Sequence, residues 1–109
     1  MVSKIVENLR VRAIKTFMDM LILAELQEKS LSGYDIIGLV HKRFNVLLSS
    51  GTVYSLLYSL ERDGLVSAGM IHRKRVYTLT EKGEETLQTV EQANGEIQDL
   101  LQNLISSKK

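Results

Sequence analysis

The sequence has no cysteine, which excludes disulfide frameworks, zinc–cysteine sites and thiol nucleophiles while leaving the redox compartment open. No apolar run approaches the roughly 18 residues of a membrane span, and Glu7 and Arg10 interrupt what would be the core of a secretory signal. A soluble cytoplasmic protein is the expectation. His41 and His72 are the only histidines, and neither has an acidic neighbour at a spacing that suggests a proton relay or a metal site. Gly51 and Gly64 fit helix ends better than a phosphate loop, and Asp19, Asp35 and Asp63 are too scattered for a calcium loop. The sequence therefore predicts no enzyme, no metal and no cofactor.

What remains is a chain of 109 residues, 44% hydrophobic and 25% charged, the balance of one compact domain. Folding at this length buries roughly two-thirds of the unfolded surface, enough for a core but leaving any projecting arm dependent on a partner. Lys and Arg number 14 against 13 Asp and Glu, yet residues 1–75 carry net +4 and residues 76–109 net −3. A basic body with an acidic tail suggests a front that faces a polyanion.

Ile14 to Leu26 is dense in Leu, Met, Ala and Glu and apolar on more than one face, which predicts a buried central helix. Before it, residues 1–12 set Ile5, Val6 and Leu9 among charges, an amphipathic arm suited to packing on a second subunit. Two helix starts built alike follow. Ser32 caps a helix from Gly33 to about Phe44, with Leu31 and Ile36 at the spacing of a hydrophobic staple. Ser49 caps another from Ser50 to about Asp63, with Leu48 and Val53 as its staple. The tight corner between them makes a helix-turn-helix.

In the second helix Val53, Leu57 and Leu60 share a face that must enter the core, with Leu56 alongside. The opposite face carries Thr52, Ser55, Tyr58, Ser59 and Arg62, with Tyr54 at the boundary. Short hydroxyl side chains allow close approach while offering hydrogen bonds, as entry into a major groove requires. Gly64 stops this helix, and Leu65 to Ile71 with Val76 to Thr80 reads as a hairpin. Its tip holds His72, Arg73, Lys74 and Arg75, the densest basic cluster in the chain. Such a tip directly after a capped helix-turn-helix describes a winged helix whose wing grips phosphates.

Thr80 caps a last helix with Glu81 and Glu84 in its first turn. Leu87, Val90, Asn94, Ile97, Leu101 and Leu104 follow at heptad spacing, so this stripe, with Ile5 and Leu9 of the arm, is the expected dimerisation surface. The pattern favours a continuous dimerisation helix, while Asn94-Gly95 is also a turn signal at which it would divide in two. The expected architecture is mainly α with a small β-hairpin: a winged helix-turn-helix with its arm over 1–80 and a dimerisation helix over 81–109.

From Phe17 to Glu85 the sequence resembles the PadR family of winged-helix transcriptional regulators. The likeness rests on Leu31-Ser32-Gly33-Tyr34-Asp35-Ile36, Leu48-Ser49-Ser50-Gly51-Thr52-Val53-Tyr54, Leu57, Leu60-Glu61, Gly64-Leu65-Val66 and Tyr77-Thr78-Leu79-Thr80-Glu81-Lys82-Gly83, in that order and spacing. The resemblance implies a homodimer that sets two recognition helices into successive major grooves of double-stranded DNA, most simply as a repressor. It implies groove or phosphate contact for Ser49, Thr52, Tyr54 and Ser55, and wing contact for Arg73, Lys74 and Arg75. Ser50, Tyr58, Arg62 and His72 complete the candidate DNA surface. Ser50 and Ser55 stand where such proteins often carry proline, and Tyr58 and Ser59 where basic residues are common, so affinity should lean on the wing and the arm. No effector pocket is fixed by the sequence, which has no aromatic residue after Tyr77. The rival expectation is a winged-helix adaptor that binds protein; the basic tip, which only a phosphate backbone requires, separates the two.

Overall fold

The computed structural model describes residues 3–106. They form α1 (Lys4–Thr16), α2 (Met18–Leu26), β1 (Leu31–Ser32), α3 (Gly33–Phe44), α4 (Ser50–Arg62), β2 (Val66–Ile71), β3 (Lys74–Leu79), α5 (Glu81–Gln92) and α6 (Asn94–Ile105). The radius of gyration, 15.6 Å, exceeds the ~13 Å of a compact domain this long. The excess comes from α1 and α6, which extend from the body and bury no residue of their own.

The apolar α2 lies at the centre, with Met18, Ile22, Leu23 and Leu26 buried. The helix expected over Ile14–Leu26 is divided at Phe17 (φ −100°, ψ 21°), so Ile14 belongs to the arm. Hydrogen bonds still cross the joint, from Phe17 N–H to Ala13 O and from Leu21 N–H to Phe17 O, both 3.0 Å. The bend lets an amphipathic α1 leave the body while α2 stays inside it. Met20 N–H at the new helix start is satisfied by the Asp19 carboxylate at 2.8 Å.

Both capped helices begin where their serines predict. Ser32 Oγ accepts from Asp35 N–H and the Asp35 carboxylate accepts from Ser32 N–H, each at 3.0 Å, a reciprocal box. Asn45, left-handed at φ 59°, closes α3. Ser49 Oγ accepts from Thr52 N–H at 3.2 Å. Val53, Leu57 and Leu60 are buried as the pattern requires, each contributing roughly 1.5–3 kcal/mol. Gly64 at φ 80° reverses the chain, and Leu65 N–H reaches back to Leu60 O at 2.9 Å.

The expected hairpin gains a third strand. Leu31-Ser32 pairs antiparallel with β3, giving the order β1-β3-β2. The residues read as a staple and cap thus also cover one edge of β3, while β2 remains an edge. Pairing between β2 and β3 runs from Val66↔Leu79 to Ile71↔Lys74, leaving only His72 and Arg73 in the turn.

Thr80 caps α5 by accepting from Gly83 N–H at 3.0 Å, and its own hydroxyl donates to Gly64 O at 2.7 Å. Lys82 Nζ donates to Asp63 O at 2.8 Å, so the start of α5 is fastened to the end of α4. Position 83 admits only glycine, because a Cβ there would lie 2.2 Å from Leu65 O. The C-terminal helix is not continuous. Ala93 (φ −91°, ψ 7°) separates α5 from α6, one residue before the Asn94-Gly95 turn signal, whose residues are both weak helix formers. Because Ala93 N–H still bonds Thr89 O and Ile97 N–H bonds Ala93 O, the interruption is a bend: α5 stays on the core through Leu87, and α6 turns outward.

Candidate nucleic-acid interface

The exposed side of α4 presents Gly51, Thr52, Ser55, Tyr58 and Arg62 to solvent, with Ser59 half-buried. Ser49 and Ser50 are exposed at its start. Ser49 Oγ also donates to Thr52 Oγ1 at 2.8 Å, so the two hydroxyls form one chain. Tyr54 is half-buried and packs over Gly33, where an added Cβ would meet the ring carbon Cζ at 2.5 Å. Its ring therefore fixes how α4 crosses the start of α3 and is less open than its neighbours.

Two flanks border this face. Thr52, Leu56 and Ser59, at intervals of four and three, form one side of α4. With Gly51, Ser55 and Lys15 of α1 they line an open cleft of about 620 Å³. Lys15 thus supplies a cation beside α4, which itself carries only Arg62, and the sequence reading missed it. Nothing local marks Lys15; only the path of α1 brings it there.

Tyr54, Tyr58 and Glu61, also four and three apart, form the other side, which meets the wing. Here the expected basic tip divides. His72 and Arg73 make up the turn at φ 51° and 66°, and among the described residues neither engages a hydrogen bond or ion pair within the chain. Lys74 and Arg75 are strand residues whose side chains go to opposite faces. Lys74 Nζ lies 3.4 Å from Asp35 Oδ1, and Arg75 Nη2 lies 2.9 Å from Glu61 Oε1. The Asp35 carboxyl is held below the usual aspartate range, chiefly by the Ser32 N–H, which outweighs the opposing effect of burial, with the Ser32 hydroxyl and Lys74 adding to the lowering. Arg75 is held more firmly protonated than an ordinary arginine, first by its bond to Tyr77 and then by Glu61.

The surface expected to dimerise is likewise redistributed. Ile5 and Leu9 are exposed on α1; Asn94, Leu101 and Leu104 are exposed on α6; Val90 and Ile97 are half-buried. Leu87 departs from the expected partner-facing stripe, because it is buried in the chain's own core. Apolar residues outside that stripe are exposed too: Val6, Phe17, Leu100 and Ile105. An apolar groove of about 460 Å³ lies among α1, α2, α3 and α5, lined chiefly by Ile14, Phe17, Met20, Leu21, Phe44 and Leu87. Arg10 donates to Phe44 O and Arg43 pairs with Glu25, tying α3 to both helices. Among the described residues no cluster of His, Asp and Glu could hold a metal ion, and no helix is long and apolar enough to cross a membrane.

The profile of the transcriptional regulator PadR-like family matches residues 22–89, more than half the chain. No curated protein matches the chain in sequence. Among solved structures, a transcriptional regulator from Clostridium thermocellum is similar at 20% identity with a TM-score of 0.73, over 97% of this chain and 100% of that one. A PadR family transcription regulator from hypervirulent Clostridium difficile shows 25% identity and a TM-score of 0.73, over 83% and 99%. Bacillus subtilis PadR in complex with operator DNA shows 25% identity and a TM-score of 0.59, over 66% of this chain and 45% of that one.

Proposed function

The chain belongs to the PadR-like family of transcriptional regulators, which act on transcription and are not enzymes, and we propose that it works as a homodimeric repressor seated on a palindromic operator in cytoplasmic double-stranded DNA. The observation that carries this is the hydroxyl face of α4, set between Lys15 on one side and the wing on the other, which Arg75 joins to Glu61 of α4 and whose turn carries the unpaired Arg73. A helix with small polar side chains fits a major groove, and cations at both flanks fit the phosphate strands that border it. The operator-bound PadR of Bacillus subtilis supports DNA as the partner.

In this reading Thr52, Ser55 and Tyr58 read base edges, with Tyr54 and Ser50 bordering them and Ser49 holding the helix start. Arg62, His72, Arg73 and Lys15 meet phosphates, and Lys74 contributes from its pair with Asp35. Ile5 and Leu9 of the arm, with Ile97, Leu101 and Leu104 near the chain's end, clasp a second copy, leaving Val90 and Asn94 at the bend to set its angle. A two-fold dimer of this kind presents its α4 helices to half-sites ~34 Å apart. Repression follows by occlusion of polymerase.

Fluorescence anisotropy with duplex DNA tests this directly. If roughly six to ten phosphates are neutralised per dimer, affinity falls ~10³- to 10⁵-fold between 50 and 200 mM salt. Lys15→Ala should weaken binding to all sequences and flatten that slope, whereas Ser55→Ala should mainly relax sequence preference. Binding that is absent or indifferent to salt would favour a protein-binding adaptor.

A further inference from the structure

Arg75 and Tyr77 are two residues apart on β3 and therefore share a sheet face. That face also carries Met70, the cross-strand partner of Arg75, and Ala68, the partner of Tyr77. Tyr77 is fully buried in the core. Arg75 Nε–H donates to its hydroxyl at 2.9 Å, and Nη2 donates to Glu61 Oε1 at 2.9 Å. The guanidinium carbon lies 5.5 Å from the Tyr77 ring centroid and 5.9 Å from that of Tyr58. One planar group thus touches the core, the wing and the reading side of α4.

From this geometry we infer that Arg75 is a positioning residue, which fixes the wing against the recognition helix and is not one of the cations that grip phosphate. The inference rests on the reading of α4 as the DNA-contacting helix and replaces the wing-contact role that the sequence suggests for Arg75. A guanidinium has five N–H donors in a rigid fork. Two of them are already committed, Nε–H to the Tyr77 hydroxyl and an Nη2 hydrogen to Glu61, so a phosphate would have to compete with a carboxylate that already holds the fork. Lys74, pointing the other way, meets Asp35 at the start of α3. Adjacent residues therefore hold β3 to the two helices of the helix-turn-helix, so the free cation at Arg73 projects from a wing of set angle. The Arg fork matters here more than its charge, so lysine does not substitute for it.

Two measurements on the full chain test the assignment. In the DNA-free protein, hydrogen–deuterium exchange of the wing amides (66–79) should rise in Arg75→Ala, Arg75→Lys and Glu61→Gln relative to the parent. On duplex DNA, Arg75→Ala and Glu61→Gln should each weaken binding, on the order of tenfold as members of one coupled network, and the double variant should be little worse than Arg75→Ala. The slope of log affinity against log salt should stay at the parent value in all three, while Arg73→Ala lowers it by about 0.9 for each phosphate relinquished. A slope in Arg75→Ala as shallow as that of Arg73→Ala, restored by lysine, would make Arg75 a phosphate ligand and overturn the inference. Tighter binding by Glu61→Gln would do the same, because it would mean that the carboxylate merely masks a DNA-seeking cation. Unchanged wing exchange also overturns it. Failure of the parent protein to bind any duplex would instead sink the DNA reading, with the exchange data still deciding whether Arg75 ties the wing.

Discussion

The ring of Tyr54 lies so close to Gly33 that a single added carbon at position 33 would come within 2.5 Å of Cζ and 2.9 Å of the hydroxyl oxygen. This contact sets the crossing of α3 and α4 within the helix-turn-helix. Gly33→Ala should push the tyrosine outward, lowering stability by about 1–3 kcal/mol as overpacking does. It should also weaken sequence-specific DNA binding more than binding to random duplex. Thermal melts and anisotropy check this; equal losses on both DNAs would mean that the crossing angle does not govern sequence reading.

The wing turn holds Arg73 at φ 66°, a conformation that costs an L-residue roughly 1–2 kcal/mol and glycine little. Arg73→Gly relieves that strain but adds about 0.5–1 kcal/mol of unfolded-state entropy. The net expectation is a gain of about 0.5–1 kcal/mol, an increase of several degrees in Tm. The same substitution removes a tip cation, so DNA affinity should fall as stability rises. A variant that is both less stable and fully active would show that the turn geometry carries no strain.

Because the Asp35 carboxyl is held below its ordinary value near 3.8, its contribution to stability is fully present above that value. It is lost as pH falls through the lower, folded-state value. Asp35→Asn keeps an acceptor for the Ser32 amide but removes the titration. The drop in Tm between pH 5 and pH 2.5 should therefore be smaller in the variant, as differential scanning calorimetry can measure. Identical acid limbs would assign the acid sensitivity to other carboxylates.

Leu101 is exposed on α6 in the single chain. If that helix joins two copies, Leu101→Asp should give monomers in sedimentation velocity and reduce duplex affinity with it. A persistent dimer would place the contact on Ile5 and Leu9 of the arm.

The limits of α3 and α4 were legible because the signals that set them are local. Ser32, Ser49 and Gly64 each act within five residues of their position. The wing strands were legible in the same way, through alternation. The two bends were not, since Phe17 and Ala93 depend on where a helix leaves the core, and the Ile14–Leu26 pattern fits a straight helix equally well. β1 is only two residues long and gains its identity from Tyr77 and Val76 across the sheet. Leu87 fits a heptad and a core position alike, and only the packing of α5 decides between them. At the interface the hydroxyl face of α4 followed from its core face, whereas Lys15 came within reach through tertiary structure alone. Arg75 was partly readable: its two-residue spacing from the core tyrosine placed it on the inner face, a sign overshadowed by the charge of its neighbours.

Thr80, Lys82 and Gly83 pin the beginning of α5 to residues 63–65, immediately after α4. Any rotation of α5 about its own axis is therefore felt directly at the C-terminal end of α4, through these backbone contacts as well as through Leu87 in the core.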